Sequence, residues 1–277
     1  MMKYITKTDL YIVSRYSGVV MICVGLMCLF PLIIDLIYFE FNYACFIIPG
    51  VFSVILGYIC MKSLDKYSNS KMRLKHGMMI SSIAWMWASV IGGVVISLAT
   101  GTDFLNGIFE STSALTGTGI TMFDNVEILP HSILYFRAFE QWVGGLGVVV
   151  MMIGILTRPG TASAKLYQSE AREERLKPSV KTTLKKTIEI YLIYTIIGII
   201  LYLLAGMPAF DSVCTTFCMI ATGGMSIKNA NIGYYHNDLI YLISIMLMVL
   251  GATSFLAHYK IIKTIVLLTN ICSLSQP

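Results

Sequence analysis

Residues 102–121 read TDFLNGIFESTSALTGTGIT, and residues 207–226 read MPAFDSVCTTFCMIATGGMS. Each opens on a helix start: Thr102 or Asp103 as a cap in the first, Pro208 near the first turn in the second. About 13 mostly helix-competent residues follow, too few to cross about 30 Å of hydrocarbon and suited to a re-entrant segment. Each helix then breaks into a Thr/Gly run, Thr116-Gly117-Thr118-Gly119 and Ala221-Thr222-Gly223-Gly224. The stretches align without gaps at an offset of 105, which sets Thr118-Gly119-Ile120-Thr121 over Gly223-Gly224-Met225-Ser226.

The surrounding chain is apolar. Of its 277 residues 56% are hydrophobic and only 13% are charged, about half the charged share of a soluble domain. Together with only 22 Gly, 7 Pro and 7 Cys, that excludes disorder, a collagen-like chain and a secreted disulfide scaffold. Six runs are long enough to be spans: about 16–37, 43–62, 78–100, 131–156, 188–206 and 239–259. The first could also begin a signal peptide, but it lacks a small-x-small cleavage site and reads as a retained span. Each short stretch therefore lies between two spans, giving a repeated unit of span, re-entrant helix, Gly-rich loop and span. The expected organisation is a leading helix pair at 1–65, a first pore repeat at 66–160, and a basic linker with a second pore repeat at 161–277. The fold class is an all-α polytopic membrane protein.

Eighteen of the 20 Lys and Arg residues fall at the N-terminus, in 62–77, in 158–187 and after 259. These segments share one side of a six-span chain, so both termini are expected in the cytoplasm of a cell-membrane protein. The excess of +5 sits in these loops without an aromatic-basic motif, which argues against nucleic acid and for lipid. Cys214 and Cys218, at i, i+4, could supply two metal ligands, but nothing nearby completes a site and they read as small core residues.

Irregular backbone at membrane depth is tolerated where protein buries it or a watery cavity receives it. A Gly/Thr run fits that condition if its carbonyls face an ion. Glycine lets successive carbonyls turn the same way, threonine adds a hydroxyl, and potassium filters replace hydration with such oxygens. The C-terminal end of a half-helix adds partial negative charge, which favours a cation. The bland alternative is that Gly and Thr only permit close helix contact; two copies in register favour the filter.

FESTSALTGTGIT, YFRAFEQWVGGLGVVVMMIGIL, AFDSVCTTFCMIATGGMS and LGATSFLAHYK strongly resemble TrkH-type potassium uptake proteins of the Trk/Ktr/HKT superfamily. The motif Gln141-Trp142-Val143-Gly144-Gly145-Leu146-Gly147 is specific to that family. The resemblance implies four pore repeats in a pseudo-fourfold ring, K⁺ as the transported ion with Na⁺ left open, and no covalently bound cofactor. It also implies a cytosolic TrkA-type nucleotide-binding regulatory subunit. Thr116, Gly117, Thr118 and Gly119, with Ala221, Thr222, Gly223 and Gly224, match the filter positions. Two repeats instead of four is the departure. The missing third and fourth are expected from another chain, or a homodimer closes the ring; the alternative function is a non-conducting truncated or split-gene half that acts only in assembly.

Arg137 and Glu140 stand at i, i+3 and are expected to form a structural ion pair. Glu110 could add negative potential outside the filter or bind loop amides. Gly144, Gly145 and Gly147 are expected to allow close packing behind the pore. No nucleophile, Walker or metal pattern projects from the spans, so no enzyme activity is expected.

Overall fold

A computed structural model describes residues 6–67, 74–156, 180–255 and 257–258, and among them it is built of helices and loops alone. The first layer is α1 (Lys7–Met27), the short α2 (Leu32–Tyr38) and α3 (Tyr43–Ser63). α1 begins at Lys7, well before the apolar run at 16. Thr6 and Asp9 form a capping box there, so polar turns that hydropathy does not register are held in the helix. Residues 28–31 interrupt it, ending on Pro31, and α2 carries the chain on to Tyr38.

α1 and α3 lie antiparallel because glycines let them touch. A methyl added to Gly18 would stand 2.6 Å from the Gly57 carbonyl oxygen, and one on Gly25 2.5 Å from that of Gly50. Close backbone contact of this kind is how helices associate where lipid removes the hydrophobic drive. The Ser53 hydroxyl donates to the Met21 carbonyl at 2.7 Å and accepts the Trp87 indole N–H at 2.8 Å, which fastens the pair to the next helix.

Two three-helix units follow, α4 (Leu74–Thr100), α5 (Phe104–Thr116) and α6 (His131–Leu156), then α7 (Val180–Leu204), α8 (Ala209–Ile220) and α9 (Asp238–Ala252). Lys7–Tyr38, Tyr43–Ser63, Lys75–Thr100 and Lys185–Leu204 are long and apolar enough to cross a membrane. α5 and α8, of 13 and 12 residues, are about 20 Å and 18 Å long and cannot. α9 is shorter than the apolar run to 259. Thr253 leaves the helix at ψ 142° while its hydroxyl still donates to the Val249 carbonyl at 2.7 Å. Apolar residues continue past this break, which is why hydropathy passed over it.

The units meet through α6 and α8. The Trp142 ring stacks on Phe217 at 5.2 Å and on Phe139 at 5.9 Å, and Cys214 and Cys218 are buried in the same cluster. Most of the 158–187 linker and the basic tail lie outside the described residues.

Candidate functional site

α5 is capped by Asp103, whose side chain accepts the Leu105 amide at 3.0 Å; Pro208 holds the N-cap position of α8 without a side-chain bond. At its far end α5 closes through Gly117, at φ 71°, with Gly117 N–H on the Ala114 carbonyl at 3.2 Å and Thr118 N–H on that of Ser113 at 3.0 Å. α8 closes in the same way through Thr222, at φ 53°, with Thr222 N–H on Met219 at 3.0 Å and Gly223 N–H on Cys218 at 3.1 Å. Gly119 and Gly224 then both turn left-handed, at 73° and 82°. Every pair here is 105 residues apart, so the sequence repeat is also a repeat of backbone conformation. Thr222 adopts that conformation without being glycine, at a cost of about 1–2 kcal/mol.

The loop amides thus fold back onto the helix ends. Among the described residues, no backbone N–H bond outside the helices falls on a carbonyl of Thr116–Gly119 or Thr222–Gly224. Thr116, Thr118, Thr222 and Gly224 are exposed, while Gly223 is buried. The two loops lie side by side: a methyl on Gly119 would fall on the Gly223 carbonyl oxygen and 3.2 Å from the Gly224 carbonyl carbon. Two helix C-termini and two Gly-rich loops therefore converge on one place.

Glycines on the returning helices make this convergence possible. A methyl on Gly144 would fall on the Leu115 carbonyl oxygen, and one on Gly251 on that of Ile220. Leu115 and Ile220 correspond at the 105 offset. Gly144 and Gly251 correspond at 107, as do the first residues of α6 and α9, because the second outer loop is two residues longer. Gly145 also packs closely, with its methyl position 3.0 Å from the Ala221 side chain. Gly147 does not share this role among the described residues, none of which comes within 4 Å of a methyl there.

The expected Arg137–Glu140 pair does not form. Arg137 instead binds Glu110 on α5, with Nη2 and Nε 2.6 and 2.7 Å from Oε1. An i, i+3 spacing allows a contact but does not choose among partners, and packing sets Glu110 against Arg137. Glu140 turns toward α4 and α5, where the missing side chain of Gly92 leaves room and the Ser111 hydroxyl donates to Oε1 at 2.6 Å. Glu110 in turn binds the loop, accepting the Met122 amide at 2.8 Å and the Thr121 hydroxyl at 2.9 Å. Arg137 also donates to Thr121 Oγ1 at 3.1 Å and to the Ser226 carbonyl at 3.3 Å. One buried guanidinium thus joins both loops just beyond their glycines.

These residues border a cavity of about 220 Å³ lined by Gly119, Thr121, Gly224 and Ser226 together with Arg137 and Asp124. Lys228, on the same cavity, stands 3.8 Å from Asp211 and 4.6 Å above the Tyr234 ring. The partners Glu110 and Asp211 offset the basic charge beside the loops.

Glu40 anchors this side of the fold by capping α6. It accepts the amides of His131 and Ser132 and the Ser132 hydroxyl, the last at 2.6 Å. Burial pushes its carboxyl up, but the Ser132 hydroxyl and the two amides outweigh that and hold it below its ordinary value of 4.5. Its stabilising contribution is then complete above about 4.5 and is lost as pH falls through the lowered value. The melting-temperature gap between wild type and Glu40→Gln should therefore narrow on acidification from pH 6 toward pH 3. A gap that widens would contradict the assignment.

Comparison with known proteins agrees with this architecture. Residues 46–272 match the model of the TrkH family, described as a cation transport protein. An uncharacterized cation transporter of Methanocaldococcus jannaschii is 40% identical over 93% of this chain and 54% of its own length. The Trk system potassium uptake protein TrkG of Escherichia coli is 32% identical, over 91% and 53%. The crystal structure of the potassium transporter TrkH from Vibrio parahaemolyticus superposes with a TM-score of 0.79 at 26% identity, covering 90% of this chain and 51% of that one. The chain thus spans about half the length of the relatives it matches. With the family model covering most of its residues and the fold in agreement, the chain belongs to the TrkH family of cation transport proteins.

Proposed function

We propose that this chain contributes two adjacent segments of a potassium filter and takes part in K⁺ uptake across the cell membrane. The observation that carries this reading is the contact of Gly119 with Gly223 and Gly224, which brings the ends of two half-helices together. Carbonyls of Thr116, Gly117, Thr118 and Gly119, and of Ala221, Thr222, Gly223 and Gly224, would replace the ion's hydration shell. Passage would be passive, driven by the membrane potential at about 2.3 kcal/mol per charge for 100 mV. No bond is made or broken, so the reading requires neither an enzyme's chemistry nor a resident cofactor.

Two segments line one side of a path, and a closed ring takes about four. We therefore place the leading pair at 1–65, the first pore unit at 66–160 and the second at 161–277, with two further pore units completing the ring. Distinct units suit the ring better than a second copy of this chain, because the two units here already differ: the first loop is tied by Glu110 and the second is not. Orientation follows the basic segments, with 62–77 and 158–187 in the cytoplasm. They are the natural docking face for a nucleotide-binding regulatory subunit of the TrkA type. A reporter inserted near residue 165 should be active only inside the cell, and one near residue 124 only outside; the opposite pattern would reject this topology.

The direct test is ion flux in liposomes. The 277-residue chain alone should be silent, and addition of two further TrkH-type pore units should restore K⁺ flux. Robust K⁺-selective flux from the chain alone would favour the homodimer, and silence in both would leave the non-conducting reading.

A further inference from the structure

Gln141 lies on α6, one turn beyond Arg137, and is fully buried. Its Oε1 accepts the Met225 amide at 3.2 Å, directly after the second Thr/Gly run. That donor fixes the orientation of the side-chain amide, since a flipped group would set two donors against each other. The Nε2 then has no partner among the described residues. Gln141 also fills the space behind Gly223, where a methyl would collide with its Cδ, Nε2 and Cγ. A leucine would fill that space without stranding a donor. It could not hold the Met225 amide.

Comparison of the two loops shows why the second needs this support. The first is tied by its own half-helix: the Ser113 hydroxyl donates to the Ile120 carbonyl at 2.6 Å, and Glu110 binds Thr121 and Met122. At the 105 offset these positions hold Cys218, a weak donor, and Thr215, which carries no charge. The second loop is held instead from the first unit, by Gln141 at Met225 and by Arg137 at Ser226. The equivalent of Gln141 on α9, at the 107 offset, is Met248, whose thioether accepts only weakly.

We propose that Gln141 is the positioning residue of the second loop and that it sets that loop's ion discrimination across the boundary between units. This inference rests on the filter reading above. It predicts two separable results. In cells that take up K⁺ through the assembly containing this chain, Gln141→Met keeps the volume but loses the acceptor. It should lower the K⁺:Na⁺ uptake ratio several-fold while the amount of chain in the membrane stays the same. In the purified chain, Gly223→Ala should lower the melting temperature, and Gln141→Ala added to it should recover part of that loss, because the two side chains compete for one space.

A melting temperature for the double variant equal to the sum of the two single losses would overturn the proposal. So would an unchanged uptake ratio in Gln141→Met under conditions where Gly224→Ser lowers it. If neither variant changes the ratio, the filter reading fails and this inference fails with it, whatever the melting temperatures show about the shared space.

Discussion

Arg137→Met is expected to destabilise the chain by about 3–5 kcal/mol, the loss typical when one partner of a buried ion pair is removed. The side chains of Arg137 and Glu110 are 2% and 0% exposed, so water cannot take the arginine's place beside the carboxylate. The thermal midpoint of the detergent-solubilised protein measures the loss. Because most of it comes from the stranded Glu110, Arg137→Met combined with Glu110→Gln should be more stable than Arg137→Met alone. The glutamine can still accept the Met122 amide without carrying a charge. If the double variant proves less stable than the single one, the pair is not isolated in the way its burial implies. Arg137 also joins Thr121 to Ser226, so ion discrimination should fall in both variants even where stability recovers.

The second large effect concerns the close contact of α6 with the end of α5. A valine at 144 would drive its Cβ into the Leu115 carbonyl oxygen. That atom is backbone at a helix terminus and cannot rotate away as a side-chain tip would. Overpacking of this kind costs about 1–3 kcal/mol, and here it would also push the α5 terminus away from its neighbour. Gly251→Val should act alike through the Ile220 carbonyl, whereas Gly147→Val, with no described residue within 4 Å of its methyl position, should cost less. Equal midpoints for Gly144→Val and Gly147→Val would remove the packing argument.

The half-helices and their loops were legible because their evidence is local. A cap, a run of about 13 helix-competent residues and a Gly/Thr break stand together in sequence, and the second copy 105 residues on made the pattern more than composition. Contacts between helices were not legible in that way. Arg137 and Glu140 looked paired because spacing along one helix was the only geometry available. The choice of Glu110 depends on how α5 lies on α6, which Gly144 permits but does not announce. Gln141 was visible only within a motif, although a glutamine inside an apolar span is itself a sign of a polar tie. Apolar runs and helices need not coincide: a capping box at Thr6 and Asp9 extends α1 ahead of its run, and Thr253 ends α9 inside its own.

The central claim is that Gly119 and Gly224 shape a backbone path for potassium. Its most direct test is the K⁺:Na⁺ uptake ratio of the complete assembly carrying Gly119→Ser or Gly224→Ser, measured beside the unaltered chain at equal expression. Both glycines hold left-handed backbone, at 73° and 82°, where a Cβ costs about 1–2 kcal/mol, and at Gly119 it would also meet the Gly223 carbonyl. The account predicts a lower ratio in each variant, with the larger loss at Gly119. Uptake and selectivity unchanged in both would contradict it.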